Sequence, residues 1–431
     1  MAKVDDHVAE LERRIRTGQL LPGERLPPVR AFAEENGLAP NTAAAVYKNL
    51  ASRGLVQGEG RRGTFVTSKP PIRSSAEPVI PNNLINLAQG NPDPKFLPQI
   101  DGRSVVTESP VLYGGEQILP ELATVFRSDF EVDGVDSSEL AVVAGALDGI
   151  ERILDAHLRF GDMVAIEDPG YHAVVELIQA MGLRPVPMSI DHDGPLPRSV
   201  RAALDAGAAA FIVTSRAQNP TGAAISRERA DAIGEVLATA PHVLVIEDDH
   251  AAGVAGAQYE SIVHEQTQHW AVVRSVAKQL GPDLRVCALA GDATTVARVR
   301  GRQAVGTGWV SHILQRIVLS MLTAPGYRKA VAGAAEQYRN RREAFCRRLV
   351  ERGIDVESRS GLNVWVPVED EAAVVSAMER DGYAIRSGAS FRLDAPPGVR
   401  VTVARHGEDE LVGAADALAD AMATRPARRG A

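Results

Sequence analysis

The chain has 431 residues, of which 45% are apolar and 24% charged, a composition typical of a globular protein with two or three domains. It has two cysteines, no apolar run near the roughly 20 residues of a membrane span, and no signal-peptide core at its N-terminus, so we expect a cytoplasmic protein with neither a disulfide framework nor a membrane partner. The net charge of −8 argues against general nucleic-acid affinity, but residues 1–67 carry +2 and the remainder −10, which favours DNA binding by the front of the chain alone.

The first 67 residues have the element order of a winged helix-turn-helix. Apolar residues at helical spacing predict a helix over 3–17, and a short second helix is predicted to begin near Pro28. A third helix is predicted from Pro40, with Asn41 or Thr42 as its cap. Two short strands joined by a basic tip follow it. In such a domain the third helix enters the major groove and the hairpin reaches a neighbouring groove or the backbone; the alternative is a small solvated bundle.

Residues 1–67 also resemble the GntR-type DNA-binding domain. The resemblance rests on Gly-x-x-Leu-Pro-Pro-x-Arg, Asn-Thr-x-x-x-x-Tyr, Gly-Leu-Val and Arg-Gly-Thr-Phe-Val, in that order. It implies double-stranded operator DNA as a partner. The DNA contacts that it implies are Arg30, Asn41, Thr42, Lys48, Arg61, Arg62 and Gly63.

The remainder of the chain is predicted to be an α/β domain. Residues 68–84 contain four prolines and little periodicity, which is typical of a semi-extended linker. From 85 to about 425, strand signals alternate with helical stretches, which predicts a mostly parallel sheet covered by helices and then a smaller α+β lobe. Residues 426–431 form a C-terminal tail.

Lys278 lies in a stretch of small, largely uncharged residues, three positions after Ser275 and seven before Arg285. Desolvation favours the neutral amine, which is the form that attacks an aldehyde. The serine and the planar guanidinium would suit a phosphate beside that aldehyde. A lone Ser-x-x-Lys is nevertheless more often an ordinary surface lysine, so other stretches must support the interpretation.

Two upstream stretches favour a pyridoxal phosphate (PLP) site. The apolar run 244–246 leads into carboxylates, among them Asp248, and an α/β sheet presents ligand groups at the carboxyl ends of its strands. PLP needs an acid beside its pyridinium nitrogen. Asn219, in an Asn-Pro-Thr-Gly turn after the predicted strand 211–214, can hydrogen-bond the phenolic oxygen of the ring.

The ordered set Asn-Pro-Thr-Gly, strand-Asp and Ser-x-x-Lys-(x)6-Arg resembles fold-type I aminotransferases, from residue 86 to about 425. The resemblance implies that the phosphate is cradled at Ala146 and Leu147, that Tyr171 stacks on the ring, and that Arg400 binds the carboxylate of a substrate or effector. It also implies a homodimer. Tyr113 would reach the phosphate of the neighbouring subunit's cofactor, with a turn tyrosine as the equal alternative.

A GntR-type front joined to an aminotransferase-like body resembles the MocR/GabR subfamily of bacterial transcription factors, and within it the PtsJ group, which the resemblance associates with vitamin B6 metabolism. Two residues depart from the pattern. His250 stands where the family often has a tyrosine; an imidazole can donate a similar bond to the ring oxygen, but it titrates at about pH 6.5 when unperturbed. Ala277 replaces the serine that usually precedes the lysine. Both departures argue against efficient transamination more than against cofactor binding.

The sequence therefore predicts a PLP-responsive DNA-binding regulator that holds PLP as a Schiff base on Lys278. A working aminotransferase with an appended DNA-binding domain is the alternative, and Arg400 favours it unless that arginine is structural or clamps an effector. A third hypothesis is a DNA-binding protein whose body only dimerises and has lost PLP. The presence together of Lys278, Asp248, Asn219 and Arg285 argues against that third hypothesis.

Overall fold

The computed structural model describes residues 2–16, 18–52, 55–58, 60–67, 80–100 and 111–423. It forms two compact units: Met1–Ser75 together with Arg159–Val164 and Ala173–Pro185, and the rest of the chain. Most of the predicted linker 68–84, and the whole predicted tail 426–431, lie outside the described residues. No helix in the described ranges is long and apolar enough to cross a membrane.

The front of the chain folds in the predicted order of elements. Helices α1 to α3 are followed by an antiparallel hairpin of β1 and β2, with a 3-10 turn at its tip. Apolar side chains that recur at helical spacing form the core of this domain; Val8, Leu11, Val46 and Leu50 are all buried. The elements are α1 (Ala2–Arg16), α2 (Val29–Glu35), α3 (Pro40–Ser52), β1 (Val56–Gly58) and β2 (Thr64–Val66).

One local prediction in this domain is wrong. Helix α3 begins at Pro40, so Asn41 and Thr42 lie inside its first turn and neither of them caps it. Proline suits the first helical position because its missing N–H has no partner there in any case. Tyr47 is buried, and its hydroxyl donates to the carbonyl of Pro27 at 2.7 Å, which places it in the core.

The second part of the chain is built on an eight-stranded sheet with the order β4-β11-β10-β9-β8-β5-β6-β7. Strands β8, β9 and β10 are parallel to one another, as predicted, whereas β11 is antiparallel to both β10 and β4, which makes the sheet mixed. The strands are β4 (Leu140–Val143), β5 (Met163–Asp168), β6 (Arg184–Asp191), β7 (Gly194–Pro195), β8 (Ala210–Val213), β9 (Leu244–Asp248), β10 (His269–Ser275) and β11 (Cys287–Gly291).

Helices cover this sheet, and the central strands are accordingly apolar on both faces. Every residue of β8 and of β9 is buried. Phe126 and Val272 belong to one apolar cluster against the sheet, and Phe211 and Val245 belong to another. The helices are α4 (Pro120–Val132), α5 (Ala146–His157), α6 (His172–Ala180), α7 (Pro197–Asp205), α8 (Arg227–Ala238), α9 (Ala277–Leu280), α10 (Ala293–Ala304), α11 (His312–Leu322) and α12 (Tyr327–Glu351).

The predicted smaller α+β lobe is present after α12. Three antiparallel strands in the order β12-β15-β14 pack with two helices, and β13 pairs in parallel with β3, which lies just after the predicted linker. The apolar core of the lobe includes Leu87, Phe345 and Val401. Its elements are β3 (Ile85–Asn86), β12 (Asn363–Pro367), α13 (Glu371–Arg380), β13 (Tyr383–Ala384), β14 (Arg386–Ser387), β15 (Gly398–Thr402) and α14 (Glu408–Ala423).

Candidate cofactor and DNA-binding sites

The carboxyl ends of the parallel strands β8, β9 and β10 carry several of the predicted cofactor residues. Asp248 is the last residue of β9 and pairs in register with Val273 of β10, which ends two residues later at Ser275. Lys278 follows in the short helix α9, and Asn219 lies in the loop after β8. Neighbouring parallel strands end at the same edge of a sheet, so the fold brings these residues to one edge.

The Asp248 carboxylate is the best evidence that this edge holds a ligand. The residue is only 6% exposed, and its Oδ1 atom is buried with no hydrogen-bond partner among the described residues. Oδ2 lies 3.6 Å from Nδ1 of His250, so the structure places that imidazole beside the acid. A buried carboxylate oxygen without a donor is costly, and the protonated nitrogen of a pyridinium ring would satisfy it.

A second feature suits a phosphate. Gly145 precedes α5 with φ +106°, and a Cβ atom there would overlap the guanidinium of Arg285. The arginine therefore lies against the glycine turn that leads to Ala146 and Leu147, whose backbone N–H groups begin the helix and have no intrahelical partner. A cationic fork beside free helix N–H groups is chemically suited to an anion.

Lys278 and Ser275 occupy the segment between β10 and the end of α9. The Lys278 amine donates to the carbonyl of Gly90 at 2.5 Å. Ser275 is 5% exposed, and its hydroxyl accepts a bond from the N–H of Ala277 at 3.2 Å. That N–H belongs to the residue that replaces the family's usual serine, so here the position contributes a backbone donor only.

Asn219 and Arg400 lie in one hydrogen-bond network. Arg400, 1% exposed, donates from Nη1 to Oδ1 of Asn219 at 3.2 Å and from Nη2 to the carbonyl of Ala88. Its guanidinium lies 4.9 Å from the ring centroid of Phe391. These bonds tie Arg400 to the turn that carries Asn219 and to the backbone of Ala88. The Asn219 oxygen is also 3.5 Å from Nδ2 of Asn363.

The aromatic neighbourhood of Tyr171 includes two residues that the sequence analysis missed. The ring centroids of Tyr171 and His172 lie 4.9 Å apart in an edge-to-face arrangement. Those of His172 and Phe391 lie 5.1 Å apart in the same arrangement. Burial, with the charges of Arg386 and Arg400, lowers the pKa of His172 to about 4, so this imidazole is neutral at physiological pH. Its position directly after Tyr171 was the available signal.

Tyr113 lies in the segment before α4. Its side chain is 94% exposed, and its ring centroid lies 5.6 Å from that of Trp309 in an edge-to-face arrangement. This exposure leaves the phenol available to a second subunit, and it is equally compatible with a turn tyrosine.

Glu167 is a buried carboxylate behind this edge that sequence reasoning also missed. It accepts bonds from the N–H and hydroxyl of Thr214, at 3.0 and 2.9 Å, and from Nε2 of Gln218 at 3.1 Å. It thereby ties the end of β5 to the loop that carries Asn219. Burial raises the pKa of Glu167 to about 7, and the charge of Asp248 adds to the shift.

This raised pKa gives a testable pH dependence. The folded protein holds the Glu167 proton more tightly than the unfolded chain does, because the pKa of this carboxyl is about 7 when folded and 4.5 in its ordinary state. The contribution of Glu167 to the free energy of unfolding therefore falls as pH rises from about 5 to about 7. We expect Glu167→Gln to remove that fall. The free energy of unfolding of wild type minus variant should decline across this range, measured by urea denaturation. Glu131→Gln, exposed on α4, is the control, and a difference flat with pH would contradict the assignment.

In the front domain, most of the predicted DNA contacts reach solvent. Arg30, Asn41, Lys48 and Arg62 are exposed and Thr42 is half-buried, while the side chain of Arg61 lies outside the described residues. The guanidinium of Arg62 is 5.8 Å from the Phe65 ring centroid.

Gly63 has a packing role that the sequence analysis did not find. Its φ is +111°, and a Cβ there would lie 2.7 Å from Nε of Arg25. Arg25 forms a β-bridge with Phe65, so the exposed arginine belongs to the hairpin. Arg25 is thus a basic residue beside the hairpin that sequence reasoning missed, because nothing in its own neighbourhood of the chain indicates this bridge.

Comparison with known families identifies the class. Residues 4–66 match the gntR family of bacterial regulatory proteins, and residues 112–418 match aminotransferase class I and II. The chain belongs to the GntR-family regulators of the MocR type, which join these two domains.

Among individual proteins, the chain is 38% identical over 410 residues to the vitamin B6 salvage pathway transcriptional repressor PtsJ of Salmonella typhimurium, covering 93% of this chain and 94% of the relative. It is 27% identical over 258 residues to the pyridoxine biosynthesis regulator PdxR of Corynebacterium glutamicum, covering 56% and 54%. A solved kynurenine aminotransferase of Pyrococcus horikoshii has the same fold, with a TM-score of 0.70 at 18% identity over 79% of this chain and 91% of that one.

Proposed function

We propose that this protein is a cytoplasmic, homodimeric transcriptional regulator of vitamin B6 metabolism that binds PLP on Lys278 and operator DNA through its GntR domain, with a DNA affinity that depends on PLP. The observation that carries the proposal is the buried Oδ1 of Asp248, an acceptor to which none of the described residues donates, at the strand edge where Lys278 also lies. The names of the two relatives, one a salvage repressor and one a biosynthesis regulator, support vitamin B6 metabolism as the target.

Different residues at this edge would hold different parts of the cofactor. Asp248 would keep the pyridine nitrogen protonated, while Arg285, Ser275 and the N–H groups of Ala146 and Leu147 would bind the phosphate. Bound PLP supplies an aldehyde that a neutral lysine amine can capture, and a ring that withdraws electrons. Asn219 and His250 would bind the phenolic oxygen, and Tyr171 would pack on the ring.

Aminotransfer is a second candidate function, because Arg400 lies in the same network as Asn219. The match to a transcriptional repressor over 94% of that protein's length favours the regulator. Assays of amino-group transfer with a panel of amino acids separate the two. Sustained turnover at roughly 1 per second or faster would establish an enzyme.

The glycine turn before α5 gives a direct test of the phosphate site. We expect Gly145→Ala to weaken PLP binding about tenfold or more, because the added methyl displaces the Arg285 guanidinium and with it a charge-assisted hydrogen bond. PLP affinity is measured by absorbance titration of the full-length protein.

The control for Gly145→Ala is Gly134→Ala. Gly134 also has a positive φ, of +70°, but a Cβ there meets nothing within 4 Å, so this variant adds a side chain at a positive φ without displacing an arginine. Equal losses of PLP affinity in the two variants would remove Arg285 from the proposed phosphate site.

A further inference from the structure

We infer that Asp249, held between Arg216 and Arg274, is a positioning residue for the cofactor pocket: it fixes the ends of three neighbouring strands at the places where they present pocket residues. The inference rests on the proposed PLP site and assigns a role to residues that do not themselves contact the cofactor.

The Asp249 carboxylate is bonded to both arginines in a buried ion cluster. Arg216 donates from Nε to Oδ1 of Asp249 at 2.8 Å and from Nη2 to Oδ2 at 2.9 Å, while Arg274 donates from Nε to Oδ2 at 2.7 Å. The side chain of Asp249 is fully buried. Burial alone would raise the pKa of Asp249, but the charges of the two arginines lower it to about 2, so the carboxylate stays ionised.

A second carboxylate completes the cluster from another element. Asp133, at the end of α4, accepts from Nη2 of Arg216 at 2.9 Å and from Nη2 of Arg274 at 2.7 Å. Two cations therefore face two anions. The arginines are also held by aromatic faces: Tyr259 lies 5.4 and 5.5 Å from the two guanidiniums, and Phe130 lies 4.6 Å from that of Arg274.

Three residues of the cluster are close neighbours in sequence of the proposed pocket residues. Asp249 directly follows Asp248, Arg274 directly precedes Ser275, and Arg216 lies three residues before Asn219. The N–H of Asp249 still pairs with the carbonyl of Val273, so the sheet ladder continues through it, and alternation along the strand directs its side chain away from the face that presents Asp248.

Movement of Asp249 would therefore shift Asp248, the pocket residue directly before it. A binding site depends on the groups that hold its contacts in place, because small displacements of those contacts weaken binding. Asp133 contacts the same arginines, but its replacement leaves both of them bonded to Asp249, and it is not adjacent in sequence to any proposed pocket residue. It is therefore a matched control.

The test compares Asp249→Asn with Asp133→Asn in the full-length protein. Each removes one charge from the same two arginines, so both are expected to lower the melting temperature. PLP affinity, measured well below that temperature, should fall about tenfold or more in Asp249→Asn, the size of effect known for the outer partners of metal ligands, and should stay within about twofold in Asp133→Asn. The pH dependence of the absorbance of bound PLP should shift only in Asp249→Asn, because it reports the pairing of Asp248 with the ring.

Equal losses of PLP affinity in the two variants, or wild-type affinity in Asp249→Asn, would overturn the inference. Should Asp249→Asn fail to fold, Arg216→Lys and Arg274→Lys keep the charge and remove the planar fork; wild-type PLP affinity in both would overturn the inference as well. Wild-type protein is titrated first. If it binds no PLP, the proposed function fails, whereas a wild type that binds PLP and is insensitive to Asp249 rejects the positioning role alone.

Discussion

Replacing Lys278 with alanine is expected to abolish covalent capture of PLP completely. The amine at this position is the one that the fold places at the strand edge with Asp248, and alanine offers no nucleophile. Full-length variant and wild type would be incubated with PLP, treated with borohydride, freed of unbound ligand, and compared by absorbance and intact mass. Only the wild type should gain the mass of the reduced adduct.

Lys329→Ala is the control for this experiment, because Lys329 is exposed on α12 and should leave the adduct unchanged. An adduct that persists in Lys278→Ala would assign the capture to another amine.

Lys278→Ala also tests whether the covalent bond is needed for PLP to change DNA binding. If the DNA affinity of this variant still changes with added PLP, non-covalent binding is sufficient, since a ligand shifts an equilibrium only through its differential affinity for the two states.

Removing the positive charges of the wing is expected to have the second large effect. Changing both Arg61 and Arg62 to alanine should weaken operator binding by at least about tenfold, because hydrogen bonds to charged groups contribute roughly 1.5–3 kcal/mol each. It should also make the dependence of log affinity on log salt shallower by about 2, since each neutralised phosphate contributes about 0.9 to the slope. Fluorescence anisotropy at several salt concentrations measures both quantities.

The control for the wing variant is the double change Arg198→Ala and Arg347→Ala. It removes two positive charges from exposed positions on α7 and α12, outside the GntR domain, and therefore separates a local contact from the effect of net charge. A salt slope unchanged in the wing variant, or lowered equally in the control, would exclude the wing from the DNA interface.

The gathering of several candidate residues at one sheet edge could be predicted from the sequence because those residues lie in short, ordered motifs. Asn219, Asp248 and Lys278 each follow a strand signal, and parallel strands bring such positions to one edge whatever the remaining fold. The element order of the front domain could be predicted for a similar reason. Its helices and hairpin are contiguous in the chain, and their apolar residues are regularly spaced.

The supporting residues could not be predicted in this way. Arg216 and Arg274 lie 33 and 25 residues from Asp249, and they meet it only because β8, β9 and β10 are neighbours in the sheet. Arg400 binds the carbonyl of Ala88, 312 residues upstream, through the contact of the smaller lobe with the start of the domain. No spacing rule along the chain reports such pairings; strand order decides them.

The most direct test of the central claim is a titration of the purified full-length protein with PLP, monitored by visible absorbance, followed by DNA-binding titrations on its own upstream region with and without PLP. The proposed function predicts a new absorbance of bound PLP and a DNA affinity that differs between the two states. Bound PLP with an unchanged DNA affinity would contradict PLP as the effector, and the absence of any bound PLP would contradict the cofactor site itself.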